Sequence, residues 1–289
     1  MKLKLKQRDP EDLNEWIEKE IYLDGILKSN LDLGVAQLHK DWDQVWFIDG
    51  PEGAGKSVLG VTLAYYVSPP ERRHTLLDRI IVKIEDAPST IKNAKPFDSI
   101  VIDEGYGAMS STGFMIKLNK VLQRLFTEIR AKNLFIFVIA PTFMDINRYF
   151  AVWRSKCLLH VYSSKDERGY CAFFNGDLKK RLYILGKKQF YNYACVHPNF
   201  RFRFTNCARV CVDWDEYKRI KTAKNLEEED EDYIDPKMLK KCWIQVREQM
   251  GNLAKPLTQS QFSELNGMAE RTISRYDKEI QSRQGTSAN

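Results

Sequence analysis

Long apolar runs are missing from this chain. The longest, Leu134 to Ala140, has seven residues, against the roughly 20 a membrane-spanning helix needs. The basic start Met1-Lys2-Leu3-Lys4-Leu5-Lys6 lacks a following apolar core, so neither a membrane span nor a signal peptide is expected. Paired cysteine motifs are missing as well. Cys157, Cys171, Cys195, Cys207, Cys211 and Cys242 form no C-x-x-C pair, and the histidine nearest to Cys207-x-x-x-Cys211 is His197, ten residues away. That spacing argues against a zinc site and for reduced core thiols in a cytosolic protein. No internal repeat is evident, which excludes a solenoid or propeller.

What the chain does have is enough apolar material for a sizeable core. At 289 residues and 43% hydrophobic content, it exceeds one average domain, so a large domain with a small appendage is expected. The net charge of +6 is unevenly spread: Lys165 to Lys224 holds 14 Lys and Arg against 6 Asp and Glu, a net +8. An unbroken acidic run, Glu227 to Asp232, follows and reads as a solvated linker.

Residues 50 to 57 read Gly50-Pro51-Glu52-Gly53-Ala54-Gly55-Lys56-Ser57, directly after the apolar run Val45-Trp46-Phe47-Ile48. A strand that ends in a glycine-rich turn and enters a helix aims backbone N–H groups and the helix's positive end at a phosphate chain. Gly50 to Val58 therefore form the expected nucleotide cradle, with Lys56 reaching the terminal phosphates and Ser57 holding magnesium. About fifty residues on, the apolar segment Ser99-Ile100-Val101-Ile102 ends in Asp103-Glu104. Asp103 is expected to reach the magnesium through its retained waters, and Glu104 to stand where it polarises an attacking water. The pair predicts hydrolysis of ATP, the nucleotide favoured because no guanine-specificity strand is recognisable.

Around these motifs the pattern alternates: strand 45–49, helix 55–67, strand 79–84, helix 88–94, strand 99–103, helix 115–131, strand 134–140. Such alternation predicts an α/β fold with a mainly parallel sheet, helices on both faces and ligands beyond the carboxyl ends of the strands. Leu13, Trp16, Ile17, Ile21, Leu23, Ile26 and Leu27 recur at threes and fours, predicting one helix or a helix pair in an N-terminal helical extension, 1–43. A helix near 143–155 and strand-like pieces at 157–162, 170–175, 182–185 and 200–204 predict antiparallel edge strands in a basic, β-rich extension, about 163–225, of a core spanning 44–225. An acidic linker, 226–235, leads to a helical domain, 236–289.

Residues 257–281 of that domain fit a helix-turn-helix. Phe262 and Leu265 face inward on the first helix, Gly267 turns the chain, and Met268, Ile273 and Tyr276 anchor the second. Arg271, Thr272, Ser274, Arg275 and Lys278 are then presented outward, a set suited to phosphates and base edges. In Phe200-Arg201-Phe202-Arg203-Phe204, alternation puts the rings on one face and Arg201 with Arg203 on the other. That face is either merely solvated or lines a nucleic-acid path.

With these motifs, helix 115–131 and the strand ending Ala140-Pro141-Thr142, the region 44–162 resembles the FtsK–HerA group of RecA-like P-loop ATPases, and within it the ATPases of viruses and mobile elements that move or package DNA, including zonular occludens toxin-like relatives. The resemblance implies a homo-oligomeric ring, Thr142 as the polar sensor residue, and an arginine finger from a neighbouring subunit among Arg130, Arg148 and Arg154. Thr142 stands where many members carry Gln, and the membrane anchor common in the toxin-like relatives is not found. The function implied is DNA translocation, packaging or transfer, with virion or mobile-element proteins as further partners. Two alternatives stay open: a nucleotide-switched DNA-binding regulator or partition protein, and an AAA+-type transposition or replication ATPase whose lid would be 236–250 with Arg247.

Overall fold

The computed structural model describes residues 1–103, 129–165 and 167–231, together with positions 244, 246, 258, 261, 271, 273–275, 277 and 278. The chain divides into two compact units, Met1–Glu229 and Asp230–Asn289.

The first unit is built on a seven-stranded sheet. Its strands are β3 (Gln44–Asp49), β4 (Ile80–Ile81), β5 (Ser99–Asp103), β6 (Phe135–Ile139), β7 (Cys157–Ser164), β8 (Glu167–Phe174) and β9 (Phe200–Arg203), in the order β4-β5-β6-β3-β7-β8-β9. The first five in that order run parallel, and β8 and β9 add antiparallel to one edge. Every residue of β3, β5 and β6 is buried, because each strand feeds a core on both sides of the sheet. Val45, Phe47, Ile100, Ile102, Ile136 and Val138 face one core, and Trp46, Ile48, Val101, Phe135, Phe137 and Ile139 face the other.

Helix α1 (Gly25–Leu38) and helix α2 (Lys56–Val67) contribute to the second core, while helix α3 (Ala87–Asn93) and helix α4 (Gly176–Lys188) contribute to the first. The start of α1 is fixed by Asp24, whose carboxylate accepts from the N–H groups of Ile26 and Leu27 at 3.0 and 3.1 Å, satisfying two donors that the helix itself leaves open. Leu27, Leu31 and Leu38 then turn inward, each burial worth roughly 1.5–3 kcal/mol. Short helix α5 (Ala208–Cys211) and helix α6 (Trp214–Glu231) complete the described elements.

Several expectations are corrected. The N-terminal stretch expected to be helical is a two-stranded hairpin, β1 (Lys2–Arg8) against β2 (Trp16–Tyr22), and helix begins only at Gly25. The apolar positions of residues 13–23 fit both periods. The choice falls to β because Leu3, Leu5 and Gln7 alternate with exposed lysines and pair with Ile21, Lys19 and Ile17. The expected strand 182–185 lies inside α4. Asn175 caps that helix through the N–H of Leu178, and Lys179, Leu182, Tyr183 and Gly186 form its buried face.

The basic stretch is thus less β-rich than expected, holding two edge strands and three helices. The acidic run does not start a loop at 226, since α6 continues to Glu231. The strand expected at 79–84 shrinks to Ile80–Ile81, and the helix expected near 143–155 is a 3-10 turn at Phe143–Asp145 and a π-helical turn at Tyr149–Arg154. Helix 115–131 lies outside the described residues except for helical residues 129–131. Among the described residues no helix is long and apolar enough to cross a membrane. The five cysteines described are free thiols, and no cluster of metal-ligating side chains occurs there.

Candidate functional site

The loop between β3 and α2 sits at the carboxyl edge of the parallel strands, beside the ends of β5 and β6. Its three glycines have φ of 134° (Gly50), 69° (Gly53) and 104° (Gly55), backbone that glycine adopts without the penalty a β-carbon brings. Gly50 is also hemmed in, because a β-carbon there would collide with the carbonyl oxygen of Val161. No side chain caps α2, so the helix leaves its first-turn N–H groups for an external acceptor.

Lys56 folds back over this loop, its ammonium donating to the carbonyls of Gly50 at 2.6 Å and Pro51 at 3.1 Å. Burial pushes its pKa below the ordinary lysine value, although Asp49 and Asp103 pull it the other way.

Ser57 and Asp103 are brought together across the sheet. Asp103, at the end of β5, is 1% exposed, and its Oδ2 accepts from the Tyr217 hydroxyl and from Lys221 Nζ at 3.1 Å. The same Lys221 ammonium lies 3.2 Å from Ser57 Oγ. Asp103 Oδ1 is buried without a hydrogen-bond partner among the described residues. Burial, and secondarily the charge of Asp103, push the Tyr217 pKa well up, so the phenol stays a donor. A serine hydroxyl and a buried carboxylate converging on one cation, with a further carboxylate oxygen unused, form a donor set that fits a hard divalent ion such as magnesium.

A second polar cluster braces the start of the loop. Asp49, fully buried, binds His160 Nδ1 at 2.8 Å through Oδ1, and through Oδ2 accepts from Phe143 N at 2.9 Å and from the Tyr193 hydroxyl. His160 stacks on Tyr193 with centroids 3.8 Å apart. Thr142, the expected sensor, lies 3.3 Å from the Tyr193 hydroxyl and is joined through it to Asp49. Sequence reasoning missed this cluster and the Tyr217–Lys221 pair. The available signals were a lone acid ending an apolar strand and a tyrosine and lysine at i, i+4 on one helix face.

The expected arginines do not converge on the loop. Arg154 donates to Asp43 at 2.6 Å, and Asp43 precedes β3 at the end opposite Gly50. Arg130 and Arg148 are exposed, with Arg130 just ahead of the start of β6. Glu104 and Arg247 lie outside the described residues.

On the edge strand the expected alternation is present. Phe202 is buried and Arg201 and Arg203 are exposed, but Arg203 is already paired with Glu167 at 3.0 Å and lies over the Tyr170 ring. In the second unit, Ile273 is buried, Ser274 half-buried, and Arg271, Arg275 and Lys278 are exposed. Thr258 and Gln261 cap reciprocally, the Thr258 N–H donating to Gln261 Oε1 at 3.1 Å and the Gln261 N–H to Thr258 Oγ1 at 3.3 Å, an arrangement that starts a helix. Thr272 and the remainder of the expected helix-turn-helix lie outside the described residues. Compared with known proteins, the chain matches no protein-family model and no curated protein.

Proposed function

We propose that this chain is a magnesium-dependent ATPase that acts on DNA, working as a homo-oligomer to translocate, package or transfer it. The observation carrying the nucleotide reading is the convergence of Ser57 and Asp103 on one cation beside a three-glycine loop that opens onto an uncapped helix. Gly50 to Val58 would bind the phosphates through backbone N–H groups, with Lys56 exchanging the Gly50 and Pro51 carbonyls for phosphate oxygens. Ser57 and Asp103 would hold magnesium, which when bound neutralises charge on the phosphates. Glu104 follows Asp103 directly in the chain and would take the proton of the attacking water. Thr142, tied to Asp49 through Tyr193, would sense the terminal phosphate. Exposed Arg148 or Arg130 would be the finger supplied to a neighbouring subunit.

The DNA reading is supported by Arg271, Arg275 and Lys278 standing exposed around buried Ile273 on one helical stretch, and by the cationic edge strand with Arg201 and Arg203. The test is triplex displacement on duplex DNA with ATP, beside a mass measurement of the oligomer. ATP-dependent displacement by a ring supports the motor; DNA-stimulated hydrolysis without displacement supports the nucleotide-switched regulator. Lys56→Ala that still binds an N-methylanthraniloyl ATP would overturn the nucleotide site itself.

A further inference from the structure

The ammonium of Lys221 stands within hydrogen-bond distance of both oxygens that would bind the metal, Ser57 Oγ at 3.2 Å and Asp103 Oδ2 at 3.1 Å. It also donates to the Tyr217 hydroxyl at 3.2 Å, which in turn donates to Asp103. One turn of α6 therefore supplies both a positive charge and a neutral donor to a carboxylate that is otherwise buried. Trp214, partly buried against the second core, stacks on Tyr217 within the same helix with centroids 4.6 Å apart. A divalent ion drawing on the same two oxygens, directly or through water, would compete with the ammonium for that place, and two cations repel in a buried setting.

We propose that α6 is a latch on the nucleotide site, in which Lys221 occupies the divalent-cation position and must withdraw for a magnesium nucleotide to load. This rests on the nucleotide-site reading above. Lysine suits the task better than arginine would, as a single point charge on a flexible stem. α6 runs to Glu231, past the boundary between the two compact units at 229 and 230.

The test measures cation binding, not turnover. Mn2+ is titrated into the full-length protein and followed by electron paramagnetic resonance, alone and with ATP, for wild type, Lys221→Met, Tyr217→Phe and the exposed control Lys218→Met. The latch predicts that Lys221→Met lowers the Mn2+ midpoint about tenfold, the effect of losing one competing charge-assisted contact. Tyr217→Phe should lower it less and Lys218→Met not at all. A midpoint that is unchanged or higher in Lys221→Met, as expected if the lysine is instead a lasting phosphate ligand, overturns the proposal.

Should Lys221→Met fail to fold, Tyr217→Phe and hydrogen exchange of wild type still decide. Amides of residues 214–223 should exchange faster with Mg2+ and ATP, and unchanged or slower exchange overturns the latch. Failure of the nucleotide reading looks different: N-methylanthraniloyl ATP binds no variant, while Mn2+ alone still reports whether Lys221 competes.

Discussion

His160 Nδ1 lies 2.8 Å from Asp49 Oδ1, and the two residues are register partners on adjacent parallel strands β3 and β7. Asp49 also accepts from Phe143 N and from Tyr193, so three segments far apart in sequence are tied to the residue immediately before Gly50.

Asp49→Ala should therefore do more than remove a charge. It removes the shorter acceptor of the Tyr193 hydroxyl and of the Phe143 N–H, which keep 3.3 Å contacts to Thr142 and to each other, and the expected cost is about 2–4 kcal/mol of unfolding free energy. Tyr193→Phe removes a single hydroxyl and should cost about 1–2 kcal/mol. Urea unfolding of the two single variants and the double variant checks this. Additive losses would mean that the hydroxyl and carboxylate act independently.

Gly50→Ala should be worse tolerated than Gly53→Ala. Both positions have positive φ, but only at Gly50 does a β-carbon meet the Val161 carbonyl, whereas nothing lies near Gly53. The Gly53 variant should lose about 1 kcal/mol and the Gly50 variant several times that, read from thermal unfolding. Equal losses would show that conformation alone sets the cost.

Lys179 makes a pH-dependent prediction. Its side chain is fully buried, donating to the carbonyls of Ala151 at 2.6 Å and Val152 at 3.0 Å, and burial lowers its pKa from 10.5 to about 8. Below about pH 8 both folded and unfolded chains carry the proton, and the buried charge weighs fully against folding. Between about 8 and 10.5 the unfolded chain holds more protons, so stability from this residue rises with pH. By pH 10 the gain relative to Lys179→Met should be about 2–3 kcal/mol. Urea midpoints of both proteins from pH 7 to 10 test it, and a parallel pH response would refute it.

Arg154→Ala should lower stability without a catalytic signature. Its partner Asp43 has a side chain only 8% exposed, so losing the guanidinium leaves a nearly buried carboxylate with Lys156 as a remaining nearby cation, at a cost of about 2–3 kcal/mol. At temperatures where the variant is folded, ATP turnover per folded molecule should match wild type. A selective drop in turnover would assign Arg154 to the catalytic set.

What could be read directly was whatever is local. A glycine-rich run following an apolar strand specifies a tight turn into a helix, and β3, the turn and α2 begin within a residue or two of where the chain's pattern puts them. The apolar run Ile100–Ile102 and the wholly apolar strand Phe135–Ile139 likewise require cover on both faces, hence a mainly parallel sheet. At the N-terminus, apolar residues at 16, 17 and 21 satisfied helix and strand spacing equally, and the ladder with Lys2–Arg8 decided between them. In 182–185 a short apolar run concealed a helix whose cap lies at Asn175, seven residues upstream.

The sequence by itself determined the alternation of strand and helix around β3 and β5, the position of the three-glycine loop and the acid that ends β5, because each depends on neighbours a few residues apart. Only the tertiary structure decided what faces that loop. Lys221 lies 118 residues from Asp103 and 164 from Ser57, and His160 and Tyr193 lie 111 and 144 from Asp49. Such distant groups meet only when the sheet is assembled and α6 packs back across it. The same closure also brings Arg154 to Asp43 at the opposite end of β3, where a nearly buried carboxylate takes a cation as its partner.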